Sequence, residues 1–320
     1  MAVYTHLTDD DIQRIADSYA LGKIVHKKAI AEGVENSNYL IATGETKYIL
    51  TIYEKRVRLE DIPFFLGIME HLAEHGIPCP LPLHTTSGES TYALGEKKAA
   101  IVTFLEGKSP AAIRNEHMRP LGAMMAKMHL TSEGFSGTRV NDLSVSGWHT
   151  LTEKIGNRAD DIQPGLAAMI ADELAYLEAH WPKDTDLPRG VIHADLFPDN
   201  VFYRDGTLSG FIDFYFACTD FYIYDLIITM NAWCFEHGQF NVTKAGLLLS
   251  AYNQVKPLTK AEMDAMPLLA RGASLRFLLT RAHDMVFHDP NAIVTPKNPM
   301  EYVKKLQFHQ RVKSVGEYGL

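Results

Sequence analysis

The sequence predicts a two-part α+β chain, and three features carry that reading. Short β-rich pieces crowd the first hundred residues, long amphipathic helices fill the rest, and one β-rich island at 191–214 interrupts them. Thr8 followed by Asp9-Asp10-Asp11 puts a capping hydroxyl and three acids where a helix N-terminus attracts negative charge. Ile12, Ile15 and Ala16 follow at helical spacing, and Leu21-Gly22 marks the stop. Strands are expected over 23–30, 39–43 and 47–53, the last two joined by a Gly44-Glu45 turn. A helix over about 59–75 places Phe65, Ile68, Met69 and Leu72 on one face and ends at Gly76, with Pro78 and Pro80 beyond. Further strands are expected at 91–94 and 99–105. Helical patterns then run over 121–130, 167–180, 222–235, 242–254 and 268–286, and the island carries an Asp205-Gly206 turn. The expected division is a sheet-bearing domain at 1–105 and a mainly helical one at 106–320.

Thirty-one Lys and Arg against thirty-nine Asp and Glu leave a net charge of −8, which argues against a nucleic-acid partner that needs a basic stripe to neutralise phosphates. Cys79, Cys218 and Cys234 are odd in number and widely spaced, with no CxxC pair and no zinc-like Cys/His spacing. Free thiols in a reducing compartment follow. The start, Met1-Ala2-Val3-Tyr4-Thr5-His6, lacks the pattern of a secretion signal, and no run approaches the length of a membrane span. A cytoplasmic protein is expected, without membrane association.

The chemistry lies in the island. Val191-Ile192 leads into His193-Ala194-Asp195-Leu196-Phe197-Pro198-Asp199-Asn200, and Gly210-Phe211-Ile212-Asp213-Phe214 follows after a hairpin. A strand that delivers Asp195 into a tight loop closed by Asn200, with Asp213 presented next, gathers two carboxylates and one amide on a short piece of backbone. Phosphoryl transfer uses that set: one carboxylate orients the attacking hydroxyl and takes its proton, while a second carboxylate and an amide oxygen hold a magnesium ion bridging phosphates. His-x-Asp pairs alone occur by chance. The full spacing, H-x-D-x-x-x-x-N and then an Asp-Phe pair, has the form of a kinase catalytic loop.

The segment from His193 to Asn200 resembles the signature of the aminoglycoside phosphotransferase-like kinases, a superfamily with protein-kinase-like folds. Thr219-Asp220-Phe221-Tyr222-Ile223-Tyr224-Asp225-Leu226 is similar to the segment that follows its metal-binding aspartate. Met124-Met125-Ala126-Lys127-Met128-His129 is similar to its helix ending in a Met-His or Leu-His pair. Within that group, Gly33-Val34-Glu35-Asn36-Ser37-Asn38-Tyr39, Tyr48-Ile49-Leu50-Thr51-Ile52-Tyr53-Glu54-Lys55 and Asn231-Ala232-Trp233-Cys234 resemble the proteobacterial-type homoserine kinases. The resemblance implies a protein-kinase-like bilobal fold, with an antiparallel sheet and helix in the N-lobe and a mainly helical C-lobe. It implies ATP and Mg2+ as cofactors, L-homoserine as the acceptor and a place on the route to threonine. A sister kinase for choline, methylthioribose or an amino sugar is the alternative, and a nucleotide-binding pseudokinase the alternative from another class.

Roles follow from the same resemblance. Asp195 is the expected base, Asn200 and Asp213 the metal ligands, and His193 and Asp225 structural supports of the loop. Asn36, Ser37 and Asn38 are expected to meet phosphate oxygens, although such a cluster alone is an ordinary hairpin turn. Thr103 and Leu105 mark where adenine would lie. The chain departs from the kinase pattern at Thr51, which stands where the third strand usually carries a phosphate-binding lysine. Lys47, Lys55, Arg56 and Arg58 are near, Glu60 and Glu70 are open as helix glutamates, and Tyr215 replaces the glycine after Asp213-Phe214. For a zwitterionic acceptor, Arg276 and Arg281 with Asp284 are candidates for charge recognition and Trp233 for a pocket wall. Ten Lys and Arg against six Asp and Glu in residues 251–320 disfavour a polycationic aminoglycoside.

Overall fold

The computed structural model describes residues 4–30, 36–54, 57–289 and 295–320. The motif residues Gly33, Val34 and Glu35 and the candidate cations Lys55 and Arg56 lie outside the described residues. The chain divides into two compact units. The first comprises the residues up to Gly107 together with Ser209–Tyr215; the second comprises Lys108–Leu208 and Phe216–Leu320. The end of the catalytic island, Asp213 included, therefore groups with the sheet rather than with the helices.

In the first unit, α1 (Asp9–Ser18) begins at a Thr8 capping box and precedes β1 (His26–Ile30), β2 (Ser37–Thr43) and β3 (Thr46–Ile52). After α2 (Ile62–Glu74) come β4 (Tyr92–Leu94) and β5 (Lys97–Thr103), and the five strands form one antiparallel sheet in the order β1-β2-β3-β5-β4. Alternation along the strands sends Tyr39, Ile41, Leu50, Ile52, Ala99 and Ile101 into a core with Ile12 and Ile15 of α1. Asn38 and Thr51, opposite each other in the β2–β3 register, are on the other face. Gly210 joins this unit by close approach: its φ is 152°, and a Cβ there would lie 2.2 Å from the Pro78 carbonyl oxygen. The Phe211 N–H donates to that same carbonyl.

The second unit contains α3 (Asn115–Ser132), α4 (Val145–Ile155), the single-turn α5 (Ala159–Ile162) and α6 (Leu166–His180). The island follows as β6 (Arg189–Ile192), β7 (Val201–Arg204), β8 (Thr207–Phe211) and β9 (Cys218–Phe221). β6 pairs antiparallel with β9, and β7 and β8 form a two-stranded sheet. Then come α7 (Tyr222–Trp233), the short strands β10 (Phe235–Glu236) and β11 (Gln239–Phe240), α8 (Val242–Val255), α9 (Lys260–Val286) and α10 (Met300–His309). Two helices start earlier than the sequence pattern predicts. The pattern begins α3 at residue 121 and α9 at 268, each just after a proline, whereas Pro120 and Pro267 lie inside the helices. Each proline forgoes one i→i−4 bond, but α9 is secured upstream by a Thr259–Glu262 capping box.

α3 and α8 approach closely at Gly122, where a Cβ would sit 2.2 Å from the Leu248 carbonyl oxygen and 3.1 Å from the Tyr252 nitrogen. Both neighbours are backbone, so a methyl group there forces the helices apart. Gly122→Ala is expected to cost about 1–3 kcal/mol. Thermal unfolding should show it as a Tm several degrees lower.

Candidate active site

β6 ends at Ile192 and the chain enters the catalytic loop with its backbone held from below. Ala194 has φ 62°, a left-handed conformation that non-glycine residues avoid, so the surroundings must impose it. They do so through Asp225 in the first turn of α7. Its Oδ2 accepts from the His193 N–H at 2.9 Å, and its Oδ1 accepts from the Ala194 N–H at 2.8 Å. Asp225 and His129 are both fully buried, with His129 Nε2 3.0 Å from Asp225 Oδ2 and His129 Nδ1 2.7 Å from the Tyr252 hydroxyl. Burial alone would raise the Asp225 pKa. The hydrogen bond and charge of His129, with His193 behind it, overcome that and hold the carboxyl below its ordinary value.

The loop's carbonyls are held as well. Arg276 Nη1 of α9 donates to the Ala194 carbonyl at 2.8 Å, and the Trp233 indole N–H donates to the Leu196 carbonyl at 2.8 Å. The Asp195 N–H reaches His193 Nδ1 at 3.3 Å. Asn200 closes the loop: its Nδ2 donates to the Asp195 carbonyl at 2.8 Å and to Asp195 Oδ2 at 3.1 Å. Asp195 is thus partly exposed on a loop whose backbone has little freedom left.

With its nitrogen so engaged, Asn200 keeps an Oδ1 that accepts no hydrogen bond among the described residues. That fits a ligand to a hard cation, which prefers oxygen donors. Among the described residues no group of three or more His, Cys, Asp or Glu gathers to hold a metal. A magnesium site drawing on one carboxylate, one amide and substrate phosphates needs no such group. Asp213, the other expected ligand, lies in the first unit with φ 65°. Tyr215, at the position of the missing glycine, packs edge-on against Tyr53 at 5.4 Å and Phe65 at 5.9 Å between ring centroids. That packing ties the Asp213 segment to the residue just after β3 and to α2 within the first unit.

The expected phosphate contacts are placed differently. Ser37 is fully buried; its hydroxyl donates to Glu54 Oε1 at 2.6 Å and accepts from the Tyr4 and Thr5 N–H groups at 2.9 and 3.0 Å. Asn36 is buried and accepts from the Glu54 N–H at 3.2 Å. Both side chains therefore tie the start of β2 to Glu54. Asn38 Oδ1 accepts from Thr51 Oγ1 at 2.8 Å, so Thr51, at the lysine position, orients the Asn38 amide. Lys97 pairs with Glu54 on the α1 face of the sheet, and Lys47 pairs with Glu106 at 3.2 Å. The Thr103 hydroxyl and N–H are spent on Leu81, at 2.8 and 2.9 Å. The Leu105 backbone makes no backbone hydrogen bond among the described residues. Beside them is an open cavity of about 360 Å³ lined by Lys47, Tyr48, Thr103, Phe104 and Glu106.

The acceptor candidates also move. Trp233 and Arg276 are buried under the loop and brace it, so neither walls an open pocket. Arg281 is largely buried; its Nη1 bonds Glu301 Oε2 at 2.6 Å and the Asn298 carbonyl at 3.2 Å, and its guanidinium lies 4.6 Å from the Tyr302 ring centroid. Phe197 of the loop packs on Phe277, which stacks on Tyr302. Sequence reasoning missed α10 and the segment before it. The Pro296-Lys297-Asn298-Pro299 run and the Glu301/Lys305 spacing were the signals available.

A carboxylate on a loop clamped from an adjoining helix, with an amide oxygen that accepts no hydrogen bond among the described residues beside it, is an arrangement that suits phosphoryl transfer. The model of the phosphotransferase enzyme family (APH) matches residues 27–258. The chain is 54% identical to a homoserine kinase of Paramagnetospirillum magneticum, the match covering 100% of both chains. It is 52% identical to homoserine kinases of Rhizobium meliloti and Rhodospirillum rubrum, over 100% of this chain and 98% and 99% of theirs. A solved amicoumacin kinase superposes with TM-score 0.70 at 17% identity, over 95% of each chain. A microcompartment-associated aminopropanol kinase does so with TM-score 0.62 at 16% identity, over 97% of this chain and 98% of its own. The protein belongs to the phosphotransferase enzyme family and has its protein-kinase-like α+β fold.

The Asp225 clamp is testable. Asp225→Asn puts an N–H2 against a donor and should lower kcat by about ten- to a hundredfold, as expected for losing a charged hydrogen bond of ~1.5–3 kcal/mol. A carboxyl whose folded pKa lies below its unfolded value contributes stability that is complete above about pH 4 and is lost as pH falls through the folded pKa. Acid unfolding of the wild type should therefore steepen below about pH 4, and Asp225→Asn should flatten that limb.

Proposed function

We propose that this protein is an ATP-dependent homoserine kinase that phosphorylates the hydroxyl of L-homoserine to give O-phospho-L-homoserine. The observation that carries the substrate assignment is identity above one half, over the full length of both chains, to proteins of that name. The clamped Asp195 loop supplies the chemistry. Asp195 orients the acceptor hydroxyl toward the γ-phosphate and takes its proton as the new P–O bond forms; ADP leaves with the electron pair of the broken bond. The Ala194 conformation and the Asn200 bonds keep the Asp195 carboxylate in one orientation, so positioning is established before the substrate arrives.

Asn200 and Asp213 are the residues we assign to magnesium, which when bound neutralises phosphate charge. Leu105, with its unengaged backbone, is assigned to adenine, and Asn38, oriented by Thr51, to the nucleotide phosphates. A helix long and apolar enough to cross a membrane is absent among the described residues. The three cysteines are buried free thiols. A cytoplasmic enzyme on the route to threonine is the reading these support.

Coupled ADP-release assays test the assignment. Turnover with L-homoserine and magnesium-ATP is expected, with loss on chelation and recovery on adding magnesium. Turnover of choline, methylthioribose or an amino sugar without turnover of homoserine would overturn it. Asp195→Asn should reduce kcat by about 10²–10⁴-fold while the directly measured affinity for ATP stays within about twofold of wild type. A parallel loss of ATP affinity would remove Asp195 from the role of base.

A further inference from the structure

An amino-acid acceptor brings a carboxylate to the loop, and the structure narrows which cation can receive it. Arg276 is 1% exposed and its Nη1 is given to the Ala194 carbonyl, beneath the loop. Arg281 is committed to Glu301 and the Asn298 carbonyl. Lys305 is buried against Glu301 Oε1 and the Asn231 carbonyl, at 2.6 and 2.9 Å. Each of these cations is occupied within the second unit.

Lys297 differs from all three. It is exposed, it makes no ion pair or hydrogen bond among the described residues, and its Nζ stands 5.5 Å from the ring centroid of Phe197, two residues beyond Asp195. A cation over an aromatic face is attracted to it but keeps its donors free, so the ring places the ammonium without consuming it. The backbone next to Lys297 is held at Asn298. Pro296 and Pro299 bracket it, Asn298 Oδ1 accepts from the Met300 N–H at 2.9 Å, and Arg281 grips the Asn298 carbonyl. Arg281 is thus a positioning residue for the segment, reached from the same helix that braces the loop through Arg276.

We propose that Lys297 anchors the carboxylate of the amino-acid acceptor whose hydroxyl faces Asp195, a role that rests on the homoserine reading and makes Lys297 a determinant of specificity. A lysine ammonium bonding a carboxylate is a charge-assisted contact, worth about tenfold or more in acceptor affinity. The contact discriminates homoserine from an amino alcohol of the same chain length without the carboxylate.

The test compares kcat/KM for L-homoserine with kcat/KM for 3-aminopropan-1-ol in wild type, Lys297→Met and Lys297→Arg. Lys297→Met should raise KM for homoserine at least about tenfold, leave KM for ATP unchanged and leave the rate with 3-aminopropan-1-ol unchanged. The ratio between the two acceptors should collapse accordingly, and Lys297→Arg should recover most of it. An unchanged homoserine KM overturns the proposal, as does an equal loss on both acceptors or a rise in KM for ATP instead. Wild-type inactivity on homoserine overturns both this role and the function on which it rests, whereas a normal wild type with an unaffected variant overturns this role alone.

Discussion

The loop after β6 depends on one buried carboxylate. Asp225 accepts from two successive backbone N–H groups, His193 and Ala194, while His129 supplies the compensating hydrogen bond from α3. Successive amides converge on one side chain only if the chain bends sharply between them, and the left-handed Ala194 is that bend. The conformational cost is met by charge-assisted hydrogen bonds in a site with no solvent to compete. Asp195 inherits its backbone placement from this arrangement, so one carboxylate on the loop is positioned by another buried beneath it.

Much of this was legible because the catalytic island is local in sequence. Asp195 and Asn200 are five residues apart in one loop, so their spacing alone encodes their proximity. Strand alternation and the Thr8 cap were equally readable, since both are properties of neighbouring residues. Prolines misled the helix boundaries: Pro120 and Pro267 look like starts, yet caps and tertiary packing carry each helix through them.

Residue type without orientation was the weaker guide. Trp233, Arg276 and Arg281 suit an acceptor pocket by chemistry, and all three instead hold backbone carbonyls, at Leu196, Ala194 and Asn298. Ser37 and Asn36 have the right groups to meet phosphate, but Glu54 claims both. Which way a side chain turns depends on partners 17 or more residues away, and no local pattern records that. A domain division at residue 105 likewise does not anticipate that Ser209–Tyr215 group with the first unit, where Gly210 meets the Pro78 carbonyl and Tyr215 meets Tyr53 and Phe65.

The anchoring of the N-terminal segment has a practical side. Tyr4 and Thr5 donate their amides to the Ser37 hydroxyl, and Thr5 also reaches Glu54, so this end of the polypeptide is stitched to the start of β2 and the close of β3. Tension or bulk applied there is transmitted to β2 and β3. A label placed at Tyr4 or Thr5 therefore perturbs the sheet of the first unit.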